Sequence, residues 1–154
     1  MKPAVSIKDS KGKNLKSKTD YTISYAKGRK NVGNYTVTIK LKGNYSGTVK
    51  KTFTIVPKGT SISKVTPRKK GFTVKWKKQA TQVTGYEIAY STDSKFSKKN
   101  TKIVSVRKNN VVSNTVNKLK TKKKYYLRIR TYQTVKGKKY YSSWSKVKNI
   151  TTKR

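Results

Sequence analysis

The sequence contains no cysteine and no histidine, and only four of its 154 residues are acidic. Disulfides, thiolate nucleophiles, Cys/His zinc sites and histidine-based triads are therefore excluded. A paired-carboxylate mechanism or a carboxylate metal cage would need nearly all of the widely spaced acids, which are Asp9, Asp20, Glu87 and Asp93. We therefore expect a non-enzymatic protein with no metal site and no cofactor.

Long apolar runs are also missing from the sequence. No stretch approaches the roughly 18 apolar residues that a membrane helix needs. The residues that follow Met1 do not form the apolar core of a signal peptide. We expect no membrane span.

What the sequence has in abundance is positive charge, because 41 basic residues against four acids give a net charge of +37. Leu, Ile, Val and Phe number only 31, a proportion at which high net charge is typical of disorder. The chain nevertheless carries 11 Tyr, two Trp and 44 residues of Val, Ile or Thr. This composition favours half-buried strands, so we predict an all-β fold.

Alternating apolar and polar residues mark strands in the first third of the chain. The clearest runs from residue 34 to 42, where Tyr35, Val37, Ile39 and Leu41 share one face. Residues 21–25 repeat the pattern, and residues 49–55 do so more weakly with Val49, Phe53 and Ile55 inward. Turn residues separate these runs. Residues 1–57 therefore read as one antiparallel unit.

Residues 57–60, Pro-Lys-Gly-Thr, form the best domain boundary, since Pro cannot donate to a strand ladder and Gly interrupts the pattern. About seven strands then follow over residues 58–154, which is typical of a β-sandwich. We expect two small antiparallel β-sandwich domains in tandem, 1–57 and 58–154. The strands predicted in the second domain include 72–76, 86–90, 103–106, 111–119, 125–132 and 140–152.

The second domain resembles a fibronectin type III domain at several positions. They are Trp76 on the second strand, Gly85 to Tyr90 as the third, Leu119 with Tyr125 as the leucine and tyrosine corner, Tyr125 to Arg130 as the sixth, and Ser142 to Ser145 opening the last. Thr121 departs from the pattern, because many members carry Pro there. The resemblance covers residues 58–154 and implies a sandwich whose core is built on Trp76.

The first domain resembles the bacterial immunoglobulin-like repeats of secreted proteins from Gram-positive gut bacteria. The matching segments are residues 20–25, 31–33 and 43–47. Such repeats begin with another strand before the segment matching residues 2–5, so the resemblance implies that the first strand is missing and a sheet edge is exposed. It also implies an extracellular or cell wall-associated module attached to the other domains of a large surface protein.

The basic residues are mostly lysine, since six arginines leave 35 lysines among the 41. Lysine is a flexible point charge, whereas sites that read nucleic-acid sequence favour the planar arginine fork. This surface suits nonspecific attraction to polyanions such as teichoic acid, acidic mucin-type glycans or DNA. We predict polyanion contacts at a loop, a hairpin and an outward strand face: Lys122, Lys123 and Lys124; Lys136, Lys138 and Lys139; Arg128 and Arg130.

The function expected from the sequence is that of a monomeric, non-catalytic spacer and cationic anchor. A nonspecific nucleic-acid-binding protein is one alternative, favoured by charge but not by the lysine bias. The other is a purely structural or supercharged spacer, whose lysines only solvate strands and prevent association. Outward tyrosines such as Tyr126 and Tyr132 either form a platform for sugars or bases or simply cover basic side-chain stems.

Overall fold

The computed structural model describes residues 2–154 and divides them into two compact units, one ending at Ile55 and the other spanning Val56–Arg154. Both are built from antiparallel strands, which confirms the predicted all-β class. Apart from a 3-10 turn at Lys98–Asn100, the described residues form no helix. Within residues 2–154, no helix has the length and apolar character needed to cross a membrane.

The first unit contains one three-stranded sheet in the order β1-β2-β3. Its strands are β1 (Tyr21–Tyr25), β2 (Gly33–Leu41) and β3 (Thr48–Ile55). Val37 and Ile39 of β2 are buried while Lys40 is exposed. The predicted alternation therefore holds, because successive side chains of a strand point to opposite faces.

Residues that precede β1 cover part of the apolar face of this sheet. Leu15 packs with Tyr21 and Ile39, and Val5 and Ile7 are partly buried against them. Val49 was predicted to point inward, but 41% of it is exposed. It lines an open groove of about 550 Å³ between the covering segment and the sheet, where the cover is incomplete.

The second unit is a sandwich of two sheets, as predicted. Its strands are β4 (Ile62–Arg68), β5 (Gly71–Trp76), β6 (Gly85–Ser91), β7 (Thr101–Val106), β8 (Ser113–Val116), β9 (Lys124–Val135), β10 (Lys138–Tyr141) and β11 (Lys148–Thr151). One sheet has the order β4-β5-β8 and the other β10-β9-β6-β7, with β11 also paired to β9. Phe72 and Val74 of β5 share one buried core with Leu127 and Ile129 of β9.

The core landmarks predicted for this unit lie where they were expected. Trp76 is buried, and its ring centroid lies 5.3 Å from that of Tyr86. The hydroxyl of Tyr125 accepts a hydrogen bond from Lys120 N at 3.3 Å, which ties the preceding loop to β9. Leu119 packs against the same core.

The last predicted strand, 140–152, is wrong as a single element. It is divided into β10, which pairs with residues 132–135 of β9, and β11, which pairs with residues 124–127. Residues 142–147 leave the ladder because serine hydroxyls replace backbone carbonyls as partners of β9. The predicted strand 111–119 is likewise shorter, since only Ser113–Val116 pairs with β5.

Candidate functional site

The outward face of β9 carries the predicted arginines. Leu127 and Ile129 are fully buried, whereas Arg128 and Arg130, which alternate with them, are half-buried on the other face. The predicted alternation of this strand is therefore confirmed. Tyr132 also points outward, yet only 2% of it is exposed because other side chains cover it.

Arg128 and Arg130 lie among aromatic rings in an arrangement that we call the cation–aromatic stack, formed by Phe96, Arg128, Trp144, Arg130 and Tyr141. The Arg128 Cζ atom lies 4.1 Å from the Phe96 centroid and 4.7 Å from that of Trp144. Arg130 Cζ lies 4.3 Å from Trp144 and 3.8 Å from Tyr141. All four distances are well within the reach of a cation–π attraction.

Arg130 is also paired with the buried carboxylate of Glu87 on the neighbouring strand β6. Its Nη2 and Nε atoms donate to the same Glu87 oxygen at 2.7 Å and 3.0 Å. The two residues are direct partners in the register of β6 and β9. This charge-assisted contact fixes the guanidinium plane against the sheet.

Serine side chains place Trp144 between the two arginines. Thr131 N donates to Ser142 Oγ and Ile129 N donates to Ser145 Oγ, both at 3.1 Å. Each serine N–H in turn donates to the carbonyl of the same β9 residue. The break between β10 and β11 is thus held by paired hydrogen bonds, and it presents Trp144 to the stack.

Phe96 reaches Arg128 from the loop that follows β6. Its φ angle is +56°, which is unusual for a bulky residue. The Asp93 carboxylate holds this loop by accepting from Lys95 N at 2.9 Å and Ser97 N at 3.0 Å. These bonds, the one from Lys95 first, lower the pKa of Asp93.

Burial shifts the pKa values of Arg128 and Tyr141 so that the neutral form of each side chain is favoured. It lowers the pKa of the Arg128 guanidinium, with a smaller contribution from the nearby Arg130 charge. Burial raises the pKa of the Tyr141 hydroxyl in the stack and that of the neighbouring Tyr132 hydroxyl. Arginine remains charged at neutral pH, and the tyrosines remain neutral, so the stack keeps its cation–aromatic character.

The six predicted lysines are all exposed. Lys122 and Lys123 lie in a turn anchored by Thr152, whose backbone N donates to Lys123 O and whose carbonyl accepts from Lys122 N. Lys124 opens β9, and its Nζ atom lies 5.4 Å from the Tyr126 centroid. Lys122 and Lys123 therefore extend from an anchored turn and Lys124 from the start of β9, and all three residues are exposed.

The other three lysines lie at the far end of β9. Lys136 and Gly137, both with positive φ, form the two-residue turn to β10. Lys138 lies 5.6 Å from the Tyr140 centroid, and Lys139 lies 4.6 Å from that of Tyr132. The 12 residue steps from Lys124 to Lys136 span about 40 Å of extended chain, so the structure does not bring the two lysine clusters together.

The structure therefore places the predicted residues in two different surroundings. The arginines are clamped between rings, while the lysines extend from both ends of the same strand. Phe96 and Trp144, which complete the stack, were not predicted as site residues. The nearby Ser142 and Ser145 were a sequence signal for Trp144, whereas nothing in the sequence placed Phe96 beside Arg128.

This architecture defines the class of the second unit, a β-sandwich module. The family model for the fibronectin type III domain matches residues 55–148. The chain therefore belongs to the fibronectin type III family, whose domains are typically non-catalytic and often form part of larger multidomain proteins.

Solved structures show the same fold at low sequence identity. A structure described as a myokine is 14% identical, with a TM-score of 0.51, and the match covers 65% of this chain and all of that one. The FN1–FN3 domains of chicken CNTN1 are 18% identical, with a TM-score of 0.53 over 80% of this chain and 44% of that one. No curated protein matches the chain.

Proposed function

We propose that the chain is a non-catalytic spacer and cationic anchor of a secreted or surface protein of a Gram-positive bacterium. In this proposal the first unit is a bacterial immunoglobulin-like domain, and the tandem retains its parent protein on anionic polymers. Teichoic acid and acidic mucin-type glycans are the expected polymers. Membership of the fibronectin type III family supports the spacer role.

The observation that carries the anchoring role is an excess of 41 basic over four acidic residues, with lysines exposed at both ends of β9. Contacts from Lys122, Lys123 and Lys124 at one end, and from Lys136, Lys138 and Lys139 at the other, would engage an extended polymer at separated points. Several weak contacts of this kind add to a useful affinity without a shaped pocket. Arg128 and Arg130, predicted as polyanion contacts on the outward face of the same strand, would add further contacts between its two ends.

Nonspecific binding of nucleic acid is the second candidate, and the same exposed lysines favour it. The lysine bias and the absence of any described helix that would enter a major groove favour the first candidate. A purely structural spacer, in which the charge serves colloidal stability alone, is the remaining alternative.

Binding to isolated Gram-positive cell walls, with and without teichoic acid, tests the proposal when heparin and DNA are measured beside them over a salt series. We expect binding that falls steeply with salt, through release of counterions, and that is lost when teichoic acid is removed. Equal binding to every polyanion would indicate a generic cationic adhesive. No binding at physiological salt would leave the spacer role alone.

A further inference from the structure

The turn between β1 and β2 of the first unit forms a second basic feature, unrelated to β9. Residues 27–31 read Lys-Gly-Arg-Lys-Asn. With Lys2 and Tyr25 they line a hollow of about 720 Å³ that is open to solvent, and this volume lies within the range of small-ligand sites. Four of the seven lining residues are basic, so the hollow concentrates positive charge in a concave surface.

Hydrogen bonds hold the shape of this hollow. The Tyr35 hydroxyl lies 2.8 Å from Gly28 O and 3.0 Å from Asn31 O, and it donates to one of these carbonyls. Asn31 N donates to Gly28 O at 3.2 Å, and Gly28 has a φ of +79°, which favours glycine. These hydrogen bonds therefore fix the backbone that carries the basic side chains.

Tyr25 forms the wall of the hollow, and cations already lie over its ring. Lys2 Nζ is 5.8 Å and Arg29 Cζ is 5.3 Å from the ring centroid, and Arg29 Nη1 donates to Ala26 O. The Tyr25 hydroxyl donates to Pro3 O at 3.1 Å, and its ring meets Phe53 edge-on. The ring thus serves to position cations, which favours recognition of a charged group over stacking of a base.

The acidic residues of this unit, Asp9 and Asp20, are not among the residues that line the hollow. The Asp9 carboxylate accepts from the backbone of Lys11 and Lys13, and Asp20 accepts from that of Lys16. The hollow itself is lined by basic side chains, the Asn31 amide, Gly28 and the Tyr25 ring. Ammonium and guanidinium groups bind sulfate, phosphate or carboxylate, and an amide pairs with hydroxyls.

We infer that this hollow is a binding site for one acidic saccharide unit, a sugar bearing a sulfate, phosphate or carboxylate. The inference rests on the proposed retention on anionic polymers and assigns one part of that retention to a shaped site. The charge of the sugar meets Lys27, Arg29 and Lys30, while its hydroxyls meet Asn31. Binding at this site therefore depends on the geometry of the turn as well as on net charge.

Calorimetric titration of the full chain tests the site with a heparin-derived sulfated disaccharide, inorganic sulfate, an uncharged disaccharide and a dinucleotide. The variant Lys27→Gln/Lys30→Gln removes two charges from the exposed rim. Lys98→Gln/Lys99→Gln removes the same charge from the exposed 3-10 turn of the other unit. Tyr35→Phe keeps every charge but deletes the hydroxyl that holds the turn.

We expect the sulfated disaccharide to bind at least about fivefold more weakly to the rim variant than to the control variant. It should also bind more weakly to Tyr35→Phe, and the uncharged disaccharide should not bind. Equal losses in the rim and control variants, or tighter binding of the dinucleotide, would overturn the saccharide site and leave the proposed anchoring intact. If the unaltered chain bound the disaccharide but not cell walls or heparin, the anchoring proposal would fail instead.

Discussion

At the scale of single residues, Glu87 is important for the stability of the second unit, because its buried carboxylate pairs with the partly buried Arg130. Replacing it by Gln would remove the charge while keeping the shape, and would weaken both hydrogen bonds from Arg130. We expect Glu87→Gln to lower the free energy of unfolding by about 1.5–3 kcal/mol. The 3–5 kcal/mol typical of fully buried pairs is not expected, since the Arg130 side chain is 22% exposed.

Urea denaturation followed by tryptophan fluorescence measures this effect in the second unit alone, because Trp76 and Trp144 both lie there. Thr134→Lys is the matched control. It also raises the net charge by one, at an exposed position of β9 that does not contact Glu87. A loss as large in the control as in Glu87→Gln would show that added charge, rather than the lost pair, explains the result.

Asp93 is the residue for which the structure predicts a dependence on pH. Its carboxylate is hydrogen-bonded in the fold and its pKa is lowered, first by Lys95 N–H. The stabilisation is therefore present above the unfolded pKa of about 3.9 and lost as pH falls through the folded pKa. We expect Asp93→Asn to lower the melting temperature at pH 6 and to have little effect at pH 2.

The measurement is the fluorescence melting temperature of both proteins between pH 6 and pH 2. Asp20→Asn makes the same change of charge in the first unit, and it should leave the tryptophan transition unchanged. A difference between wild type and Asp93→Asn that stays constant over this range would contradict the role assigned to the carboxylate.

At the scale of structural elements, the break between β10 and β11 depends on two serine hydroxyls. Ser142→Ala would leave the N–H of Thr131, which is fully buried, without the Oγ acceptor. An unsatisfied buried donor costs about 1–3 kcal/mol, and Trp144 would lose its fixed position between the arginines. We expect Ser142→Ala to destabilise the second unit by about that amount, measured in urea.

Ser143→Ala provides a stringent control for this prediction, since Ser143 is the adjacent serine and is exposed. It should change the free energy of unfolding by less than about 0.5 kcal/mol. Comparable losses from the two serines would mean that the segment 142–147 is sensitive to any change and that the Ser142 hydroxyl has no particular role.

The break between β10 and β11 also shows which features of the fold could be predicted from the sequence and which could not. Alternation placed Arg128 and Arg130 on the outward face of β9, because the period of two is a local property of the chain. The resemblance to the fibronectin type III family placed Trp76 in the core. Alternation did not separate β10 from β11, because the separation depends on hydroxyls that bond to a strand already in place. Phe96 was missed for a similar reason. Its position beside Arg128 depends on the loop held by Asp93, in which Phe96 has a φ of +56°.

The candidate sites were likewise predicted only in part from the sequence. The sequence was sufficient to identify the lysine clusters and to place Lys122 and Lys123 in a loop and Lys136 in a hairpin, where Gly137 marks the turn. It did not show that Arg128 and Arg130 are held between rings, which requires Trp144 and Tyr141 to arrive from another segment. The basic hollow beside Tyr25 had a local signal in residues 27–31, but its concave shape comes from Tyr35, one strand away.

At the scale of the whole molecule, a net charge of +37 acts against the compact state, because folding brings like charges closer together. Salt weakens this repulsion as the Debye length falls from about 30 Å at 0.01 M to about 8 Å at 0.15 M. We therefore expect the melting temperature to rise as NaCl is added over this range. Saturating heparin should raise it further if the polymer binds the folded state.

The control is a variant in which Lys122, Lys123, Lys124, Lys136, Lys138 and Lys139 are all replaced by Gln. Its smaller net charge should make the melting temperature of the second unit less dependent on salt and should weaken stabilisation by heparin. A melting temperature that falls as NaCl is added would contradict the repulsion argument. A salt dependence unchanged in the variant would mean that the repulsion arises elsewhere, so that these lysines weaken the fold little while remaining available to a polymer.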